Sequence, residues 1–303
     1  MRVVVSAPAT SANLGPGFDC LGMALGLYHR VAIREVDGAG LELRAHGEGA
    51  DQLPPEGQNL VCQGVFDGCE RVGYRPRRLC IESANDIPLA AGLGSSAAAY
   101  LAGLAAGVLL GGGQLAAAEL IEWGSEREGH ADNVVPCVLG GFTVIAADRE
   151  VRHLRLDPPA GVAAPVAIPN FELPTRTART VLPTTVVHSD AVFNQSRVGM
   201  LAAAIASGRL ELLGQAMRDR LHQPYREQLV PGLTQVLEAA MAAGSLGAAL
   251  SGAGPSVLAL AAHPDAARVG ARMVQTWRGD GIEARCVVLT MDRRGLVARR
   301  EPD

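Results

Sequence analysis

A run of small residues in the first third of the chain has the composition of a phosphate-binding loop. Residues 88–98 read P-L-A-A-G-L-G-S-S-A-A. Two glycines at this spacing permit positive φ angles and a close approach of the backbone to a ligand. We predict that a helix follows over 96–110, with Ser95 or Ser96 as its N-cap. The free amides and the positive dipole end of such a helix favour a nucleotide phosphate, and a serine hydroxyl there can reach Mg²⁺.

The lack of lysine excludes two common phosphoryl-transfer sites. All 27 residues counted as Lys or Arg are arginine. A Walker loop needs G-x-x-x-x-G-K-[ST] and a protein kinase needs its strand lysine, so neither can operate here. A dinucleotide fold would place an acidic residue about 20 residues after its glycines, but no acidic residue lies between Asp86 and Glu119. A nucleotide phosphate is therefore expected, and a dinucleotide is not.

Two further segments flank this loop in chain order. Residues 7–19 read A-P-A-T-S-A-N-L-G-P-G-F-D, and residues 247–256 read G-A-A-L-S-G-A-G-P-S. Together with residues 88–98, they resemble the three ordered motifs of the GHMP kinases, which include galactokinase, homoserine kinase and mevalonate kinase. The first segment and H-A-D-N at 130–133 resemble the homoserine kinase branch in particular. The resemblance extends over nearly the whole chain.

This resemblance implies an enzyme that phosphorylates the side-chain hydroxyl of L-homoserine to O-phospho-L-homoserine, for threonine biosynthesis. It implies ATP and Mg²⁺ as cofactors, a small amino-acid substrate and a homodimer. Another GHMP kinase, acting on mevalonate, a sugar or a diphosphocytidyl polyol, is the alternative enzyme, and it would not need an ammonium-binding acid at Asp19. A non-catalytic ligand-binding protein of the same fold is disfavoured, because serines and glutamates able to hold Mg²⁺ are present.

The resemblance also assigns the ATP and metal sites. The residues expected to bind ATP are Asn59, Pro88, Leu89, Ala90, Ala91, Gly92, Leu93, Gly94, Ser95, Ser96, Ala97, Ala98, Gly252 and Gly254. Phosphoryl transfer needs a carboxylate on the metal opposite the loop serine. We expect Ser96 and Glu128 to hold Mg²⁺, with Glu126 left open as the alternative carboxylate.

The expected substrate site follows in the same way. By resemblance, it contains Asn13, Asp19, His130, Thr175, Arg179 and Arg226. An α-carboxylate is well bound by a planar guanidinium and an ammonium group by a carboxylate. We therefore assign Arg179 and Arg226 to the substrate carboxylate, with Thr175 nearby, and Asp19 to the ammonium group. Arg176 is expected to be an ordinary surface arginine.

The route of the hydroxyl proton stays open at this stage. Mevalonate kinase-like relatives are thought to pair an aspartate base with a lysine, which this chain lacks. The resemblance places Asn133 where that base would be, so we assign Asn133 a catalytic position beside Ser96 and Glu128. The proton could then pass directly to the γ-phosphate, while Asp132 and Asp19 remain rival bases. For Asp132 we expect instead a cap on the short helix that follows it.

These side chains must be positioned by alternating strands and helices. The predicted strands are 3–6, 27–36, 41–45, 79–83, 141–146, 162–168, 247–250, 257–260 and 284–289. The predicted helices are 60–72, 96–110, 115–124, 185–206, 210–221, 233–243 and 265–278. A Pro/Gly break at 157–161 predicts an ATP-binding domain over 1–160 and a second domain over 161–303. With the resemblance, this gives an α+β fold of two domains: an N-terminal mixed sheet with helices and a C-terminal ferredoxin-like α/β sandwich.

Composition agrees with a metabolic enzyme. A chain of 303 residues can bury a sizeable core. Its net charge of −4 gives no general attraction to nucleic acid or to an anionic membrane, so neither is expected as a partner. The six cysteines are scattered without a C-x-x-C pair, which favours a reducing cytoplasm over a disulfide framework.

Overall fold

The computed structural model describes residues 1–52 and 54–302 of the chain. The strands are β1 Arg2–Asn13, β2 Gly17–Glu35, β3 Gly40–Gly47, β4 Arg78–Asn85, β5 Phe142–Ala147, β6 Val151–Leu156, β7 Val162–Pro169, β8 Gly247–Leu250, β9 Val257–Ala262, β10 Ala284–Leu289 and β11 Val297–Glu301. The helices are α1 Leu60–Arg71, α2 Ser95–Leu110, α3 Ala117–Glu128, α4 Val134–Leu139, α5 Thr175–Thr180, α6 His188–Ser207, α7 Leu213–Ala216, α8 Gln223–Arg226, α9 Leu233–Ala242 and α10 His263–Gly279. None of the described helices has the length and apolar composition needed to span a bilayer.

The larger sheet is mixed. Over the described residues it contains seven strands, in the order β11-β1-β2-β4-β3, with β5 paired to β2 and β6 paired to β5. Strands β3 and β4 are parallel, and the other pairs are antiparallel. The long β2 pairs with β1 on one side and with β5 and then β4 on the other. The predicted N-terminal mixed sheet is confirmed.

Helices α1 and α2 pack with their backbones in contact. A Cβ atom on Gly64 would lie 2.3 Å from the carbonyl oxygen of Tyr100, and one on Gly107 would lie 2.1 Å from that of Val65. Such close packing is possible only where side chains are absent from the shared face. Helix α2 is buried from Ala97 to Leu110 and packs against β1 and β2 on its other side. The small residues of α2 thus fix its N-terminus over the site described below.

The smaller sheet has the strand order β10-β7-β9-β8, and all its pairs are antiparallel. Numbered within this unit, the order is 4-1-3-2. Helices α9 and α10 pack against the sheet, and the fully buried Trp277 donates from Nε1 to the carbonyl oxygen of Pro231 at 2.9 Å. The predicted ferredoxin-like arrangement is confirmed.

The end of the chain returns to the larger sheet. Strand β11 pairs with the first residues of β1, from Arg2 opposite Glu301 to Ser6 opposite Val297. The described part of the predicted second domain therefore contributes one strand to the N-terminal sheet. The boundary between 1–160 and 161–303 remains a prediction, and residue 303 lies outside the described residues.

The predicted helix over 210–221 is wrong. The segment forms a short 3₁₀ turn, Leu210–Leu212, and the single helical turn α7. The reason is Asp219, whose carboxylate accepts hydrogen bonds from the backbone amides of Leu221, His222 and Gln223 at 2.7–3.0 Å. A short acidic side chain that binds nearby amides competes with the helix. These bonds hold the backbone in a turn that leads into α8, which carries Arg226.

Candidate active site

Residues 86–94 connect the end of β4 to α2, and the start of this helix differs from the prediction. The N-cap is Gly94, with φ of 66°, and it makes no side-chain cap; the helix begins at Ser95. The predicted serine N-cap is therefore wrong. Neither serine hydroxyl caps α2, and Oγ of Ser95 donates instead to the carbonyl oxygen of Ile87 at 3.5 Å. The amides at the start of α2 have no acceptor within the helix and point toward an anion-binding position.

Both loop glycines are required by close contacts. Gly92 has a φ of 74°, and a Cβ there would lie 2.1 Å from the carbonyl oxygen of Ser251. A Cβ on Gly94 would lie 1.9 Å from Oγ1 of Thr10. Any side chain at these positions would displace the loop from its neighbours.

The C-terminal glycine motif folds onto this loop. Oγ of Ser251 donates to the carbonyl oxygen of Gly92 at 2.7 Å and lies 2.9 Å from Oγ of Ser11. The amide of Gly252 donates to the carbonyl oxygen of Ala12 at 3.1 Å. The three motifs recognised in the sequence are thus joined directly by hydrogen bonds. Gly254 packs against Gly92.

We expect Gly92→Ala to lower the free energy of unfolding by about 2–4 kcal/mol, through the positive φ and the collision with Ser251. Urea unfolding followed by circular dichroism measures this. Gly208→Ala is the matched control, because Gly208 has a φ of 71° and a Cβ there would meet nothing within 4 Å. It should cost only about 1–2 kcal/mol. Equal decreases in the free energy of unfolding in the two variants would contradict the close contact of Gly92 with Ser251.

Ser96 and Glu128 are side by side, as a shared metal would require. Oγ of Ser96 donates to Oε2 of Glu128 at 3.1 Å. Glu126 points elsewhere and pairs with Arg71 at 3.4 Å on the exposed surface. Among the described residues, no group of three or more His, Cys, Asp or Glu side chains could hold a metal by itself. One carboxylate and one hydroxyl suit Mg²⁺, which takes its other ligands from phosphates and water.

Two cavities meet at the start of α2. The first, here called the acceptor cavity, has a volume of about 560 Å³ and a polar lining that includes Asp19, Ser96, Glu128, His130, Asn133, Arg179 and Arg226. The second, here called the nucleoside cavity, has about 310 Å³ and is lined by residues that include His46, Asn59, Leu60, Val61, Leu89 and Ala99. Ala90, Ser95 and Ser96 line both cavities. The start of α2 and the loop before it therefore lie between the two cavities.

Opposite charges are paired inside the acceptor cavity. Arg179 makes a bidentate pair with Asp19, from Nη2 to Oδ1 at 2.7 Å and from Nη1 to Oδ2 at 3.1 Å. Both side chains are a little over one-third exposed, and the hydrogen bond to Asp19 raises the pKa of Arg179. Thr175 begins α5 and lines the same cavity, as does Arg176. The residues assigned to the carboxylate and the ammonium group are thus adjacent and neutralise each other.

Arg226 is the most buried charged residue of this cavity, with 1% of its surface exposed. Its Nη1 donates to the carbonyl oxygen of Gly252 at 3.0 Å and to Nδ1 of His222 at 3.1 Å, and its Nε donates to the carbonyl oxygen of Ala178 at 3.3 Å. Burial, and then the nearby Arg179, lower the pKa of Arg226 to about 10. It remains a cation at neutral pH, with an incompletely compensated charge.

Asn13 joins the turn after β1 to the glycine motif. Its Nδ2 donates to the carbonyl oxygen of Gly252 at 2.9 Å, and its Oδ1 accepts from the amide of Asp19 at 3.0 Å. Asn13 has a φ of 68° and Asp19 a φ of 57°. A left-handed backbone is costly for residues with a side chain and concentrates at functional sites. The turn thus orients Asp19 into the cavity.

The segment after α3 carries a second set of contacts. Nδ1 of His130 lies 2.8 Å from Oδ1 of the buried Asp132, and this contact raises the pKa of His130. Oδ1 of Asn133 accepts from Oγ1 of Thr10 at 2.7 Å. The N-cap of α4 is Asn133, without a side-chain cap. The predicted helix-capping role of Asp132 is therefore wrong, because its carboxylate faces His130 instead.

Comparisons with known proteins decide the family. Family models match residues 59–141 (GHMP kinases N terminal domain) and 201–278 (GHMP kinases C terminal). A homoserine kinase from Synechococcus sp. is 42% identical over 100% of both chains. One from Carboxydothermus hydrogenoformans is 44% identical over 97% of this chain and 96% of that protein. The chain belongs to the homoserine kinase family.

Solved structures agree with this membership. A homoserine kinase from Cytophaga hutchinsonii superposes with a TM-score of 0.89 at 32% identity, over 98% of this chain and 97% of that one. A putative homoserine kinase from Listeria monocytogenes gives a TM-score of 0.76 at 32% identity, over 99% and 100% of the two chains. A mevalonate kinase, at 14% identity over 96% of this chain and 99% of that one, gives 0.72 and shows the fold alone. The predicted GHMP kinase fold is confirmed.

Asn59 is used differently from the other residues expected to bind ATP in this homoserine kinase family member. It is the N-cap of α1, and its Oδ1 accepts from the amides of Val61 and Cys62 at 3.0 and 3.2 Å. Only its Nδ2 is left for a ligand. Because Asn59 lines the nucleoside cavity, its contact with ATP remains a proposal.

Several residues that hold the site residues in place were not predicted from the sequence. Thr10 holds Asn133, and Ser251 joins two motifs. The ring of Phe18 lies under both Arg179 and Arg226, at 5.3 and 5.5 Å. Thr10, Ser251 and Phe18 lie within the recognised motifs, and this position in the sequence was the signal that could have indicated a role at the site. Their partners are distant in sequence and could not be read from spacing.

Proposed function

We propose that this chain transfers the γ-phosphoryl group of ATP to the side-chain hydroxyl of L-homoserine, forming O-phospho-L-homoserine for threonine biosynthesis. One observation carries the proposal: a cavity lined by charges for an amino acid meets a more apolar cavity at the start of α2. Family membership supports it independently. ATP in the nucleoside cavity and the homoserine hydroxyl in the acceptor cavity would then meet at Ser95 and Ser96.

The charges of the acceptor cavity suit a zwitterion. The pair of Asp19 and Arg179 offers one anion and one cation at adjacent positions, and Arg226 adds a second cation. An α-amino acid can exchange these partners, with its ammonium group on Asp19 and its carboxylate on the two guanidinium groups. Asn13, His130 and Thr175 would contact the remaining polar groups. A neutral sugar or polyol offers no such exchange.

The residues at the phosphoryl end fit a nucleotide and one divalent ion. We propose that the loop from Pro88 to Ala98, with Gly252 and Gly254 packed over it, surrounds the phosphates of ATP. Asn59 and Leu60 would contact its adenine. Ser96 and Glu128 would hold Mg²⁺, which neutralises charge on the transferring phosphoryl group when bound. The amides at the start of α2 would also stabilise the negative charge of the phosphoryl group, since they already point toward it and need not reorient.

Asn133 would position the substrate hydroxyl. Thr10 occupies its Oδ1, so Nδ2 is the end that can donate to the hydroxyl oxygen. An amide cannot take up a proton at neutral pH, and no lysine is present to assist a base. We therefore propose that this enzyme orients the hydroxyl and leaves its proton to pass to the phosphoryl oxygen.

Asp132→Asn separates positioning from base catalysis. We expect kcat to fall less than about tenfold, with a rise in KM for homoserine as His130 loses its partner, whereas loss of an obligatory base costs about 10²–10⁴. Steady-state kinetics across the pH range measures both. A well-folded variant with unchanged KM, kcat reduced a thousandfold and no acidic limb in its pH profile would make Asp132 the base.

The function is tested by ADP release from the purified protein with ATP and Mg²⁺. L-Homoserine should be turned over, and 4-hydroxybutyrate, which lacks the ammonium group, and 3-aminopropanol, which lacks the carboxylate, should both be poor substrates. Mevalonate and galactose in the same panel test the alternative enzymes. Preferred turnover of either one would overturn the assignment, and chelation of Mg²⁺ should abolish all turnover.

Two further expectations accompany the function. A homodimer is proposed from family resemblance, and light scattering on the purified protein tests it. A cytoplasmic location is proposed because the described cysteines form no disulfide. Fractionation of cells that express the protein tests this second point.

A further inference from the structure

His222 links two parts of the acceptor cavity without lining it. Its side chain is fully buried. Nε2 lies 2.6 Å from the carbonyl oxygen of Gly15, and Nδ1 lies 3.1 Å from Nη1 of Arg226. One ring therefore bridges the turn after β1 and the buried guanidinium.

The partners fix the protonation of this ring. A guanidinium can only donate and a carbonyl oxygen can only accept. Nδ1 must therefore accept from Arg226, and Nε2 must carry the proton that is donated to Gly15. Only the neutral Nε2–H tautomer satisfies both contacts. Burial, the largest cause, lowers the pKa of His222 and agrees with a neutral ring.

The surroundings hold the ring in this orientation. Asp219 accepts from the amides of His222 and Gln223, at 3.0 and 2.7 Å, and fixes the backbone at the start of α8. The ring of Phe18 lies 5.5 Å from the imidazole, tilted by 40°.

The contacts of Arg226 leave one amino group for a ligand. Nε and Nη1 have the acceptors Ala178, Gly252 and His222. Among the described residues, Nη2 has no hydrogen-bond partner, and Arg226 lines the acceptor cavity. The orientation of Nη2 therefore depends on what holds Nη1.

We propose that His222 is a positioning residue that orients Arg226 toward the carboxylate of the substrate by accepting from Nη1. This role deepens the proposed function and rests on it. His222 does not touch the substrate, and it determines how well the cavity recognises a carboxylate.

Two variants of His222 each remove one of the two hydrogen bonds of the ring and keep the other. His222→Asn places an oxygen near the position of Nδ1, so it keeps an acceptor for Arg226 and loses the donor to Gly15. His222→Gln reaches the position of Nε2, so it keeps a donor for Gly15 and loses the acceptor. We expect His222→Gln to raise KM for homoserine about tenfold, and His222→Asn to raise it less than about threefold. For both variants, kcat and KM for ATP should change less than about twofold.

The outcomes that overturn the proposal are distinct. Equal increases in KM for homoserine in the two variants, or a parallel increase in KM for ATP, would mean that the residue only stabilises the fold. If the variants fail to fold, ¹⁵N NMR of histidine-labelled wild-type protein decides. A neutral His222 protonated at Nε2 is expected at neutral pH. An Nδ1–H or doubly protonated ring would refute the contact. This NMR result does not depend on the substrate, whereas absence of turnover with homoserine in the wild type would refute the proposed function itself.

Discussion

Ser96→Ala is expected to lower kcat by about 10²–10³, because it would remove one of the proposed Mg²⁺ ligands at the reacting phosphoryl group. Helix α2 should persist, since alanine is the best helix former and the Ser96 hydroxyl does not cap the helix. Glu128→Gln should have an effect of the same order, because its carboxylate accepts from Ser96 at 3.1 Å. Steady-state kinetics with titrated Mg²⁺ measures both, and each variant should need more Mg²⁺ for half-maximal rate.

The double variant and a surface control sharpen this result. If Ser96 and Glu128 hold one ion, the two losses should not add in the double variant, since the second change removes little that remains. Glu126→Gln should stay within about twofold of wild type, because exposed pairs such as Glu126 with Arg71 contribute little. Near-normal kcat in a folded Ser96→Ala enzyme would remove this residue from the site. A large loss in Glu126→Gln would transfer the metal role to that residue.

Arg226→Lys and Arg179→Lys are expected to raise KM for homoserine about 10- to 100-fold each, because an ammonium group cannot reproduce the planar array of donors that a guanidinium presents. The larger effect is expected at Arg226, whose buried guanidinium serves three protein acceptors. KM for ATP should change less than about threefold in both variants. The measurement is steady-state kinetics with each substrate varied in turn.

Arg176→Lys is the matched control for Arg179→Lys. Arg176 stands on the same helix and lines the same cavity, but it is exposed. KM for homoserine in the Arg176→Lys variant should stay near the wild-type value, as expected for a surface arginine. Normal homoserine binding in both the Arg226 and Arg179 variants would refute the carboxylate assignment and favour a neutral substrate.

Elements with strong local patterns could be predicted from sequence. Strands β8 and β10 and the end of α2 were placed to the residue, because their apolar runs are bounded by clear turn signals. Strands β6 and β11 were missed. Both are short and rich in arginine, and neither contains a buried residue, so such strands resemble solvated loops in sequence.

The motifs predicted which residues surround the site, but not how they contact one another. The resemblance favoured Glu128 over Glu126 without a contact to decide between them, and only the orientation of α3 brings Glu128 to Ser96. The pairing of Asp19 with Arg179 joins residues 160 positions apart. The contact of the His222 ring with the carbonyl oxygen of Gly15 joins residues 207 positions apart. Contacts of this range follow from packing of the two sheets and leave no periodic signal in the chain.

The proposed phosphoryl transfer to homoserine is tested most directly by ³¹P NMR of the reaction products. Purified protein is incubated with ATP, Mg²⁺ and an equimolar mixture of L-homoserine, mevalonate and galactose. We expect loss of the γ-phosphate signal of ATP with equal gain of one phosphomonoester signal, coupled to the methylene protons of the homoserine side chain. Inorganic phosphate alone, or a phosphomonoester of mevalonate or galactose as the main product, would contradict it.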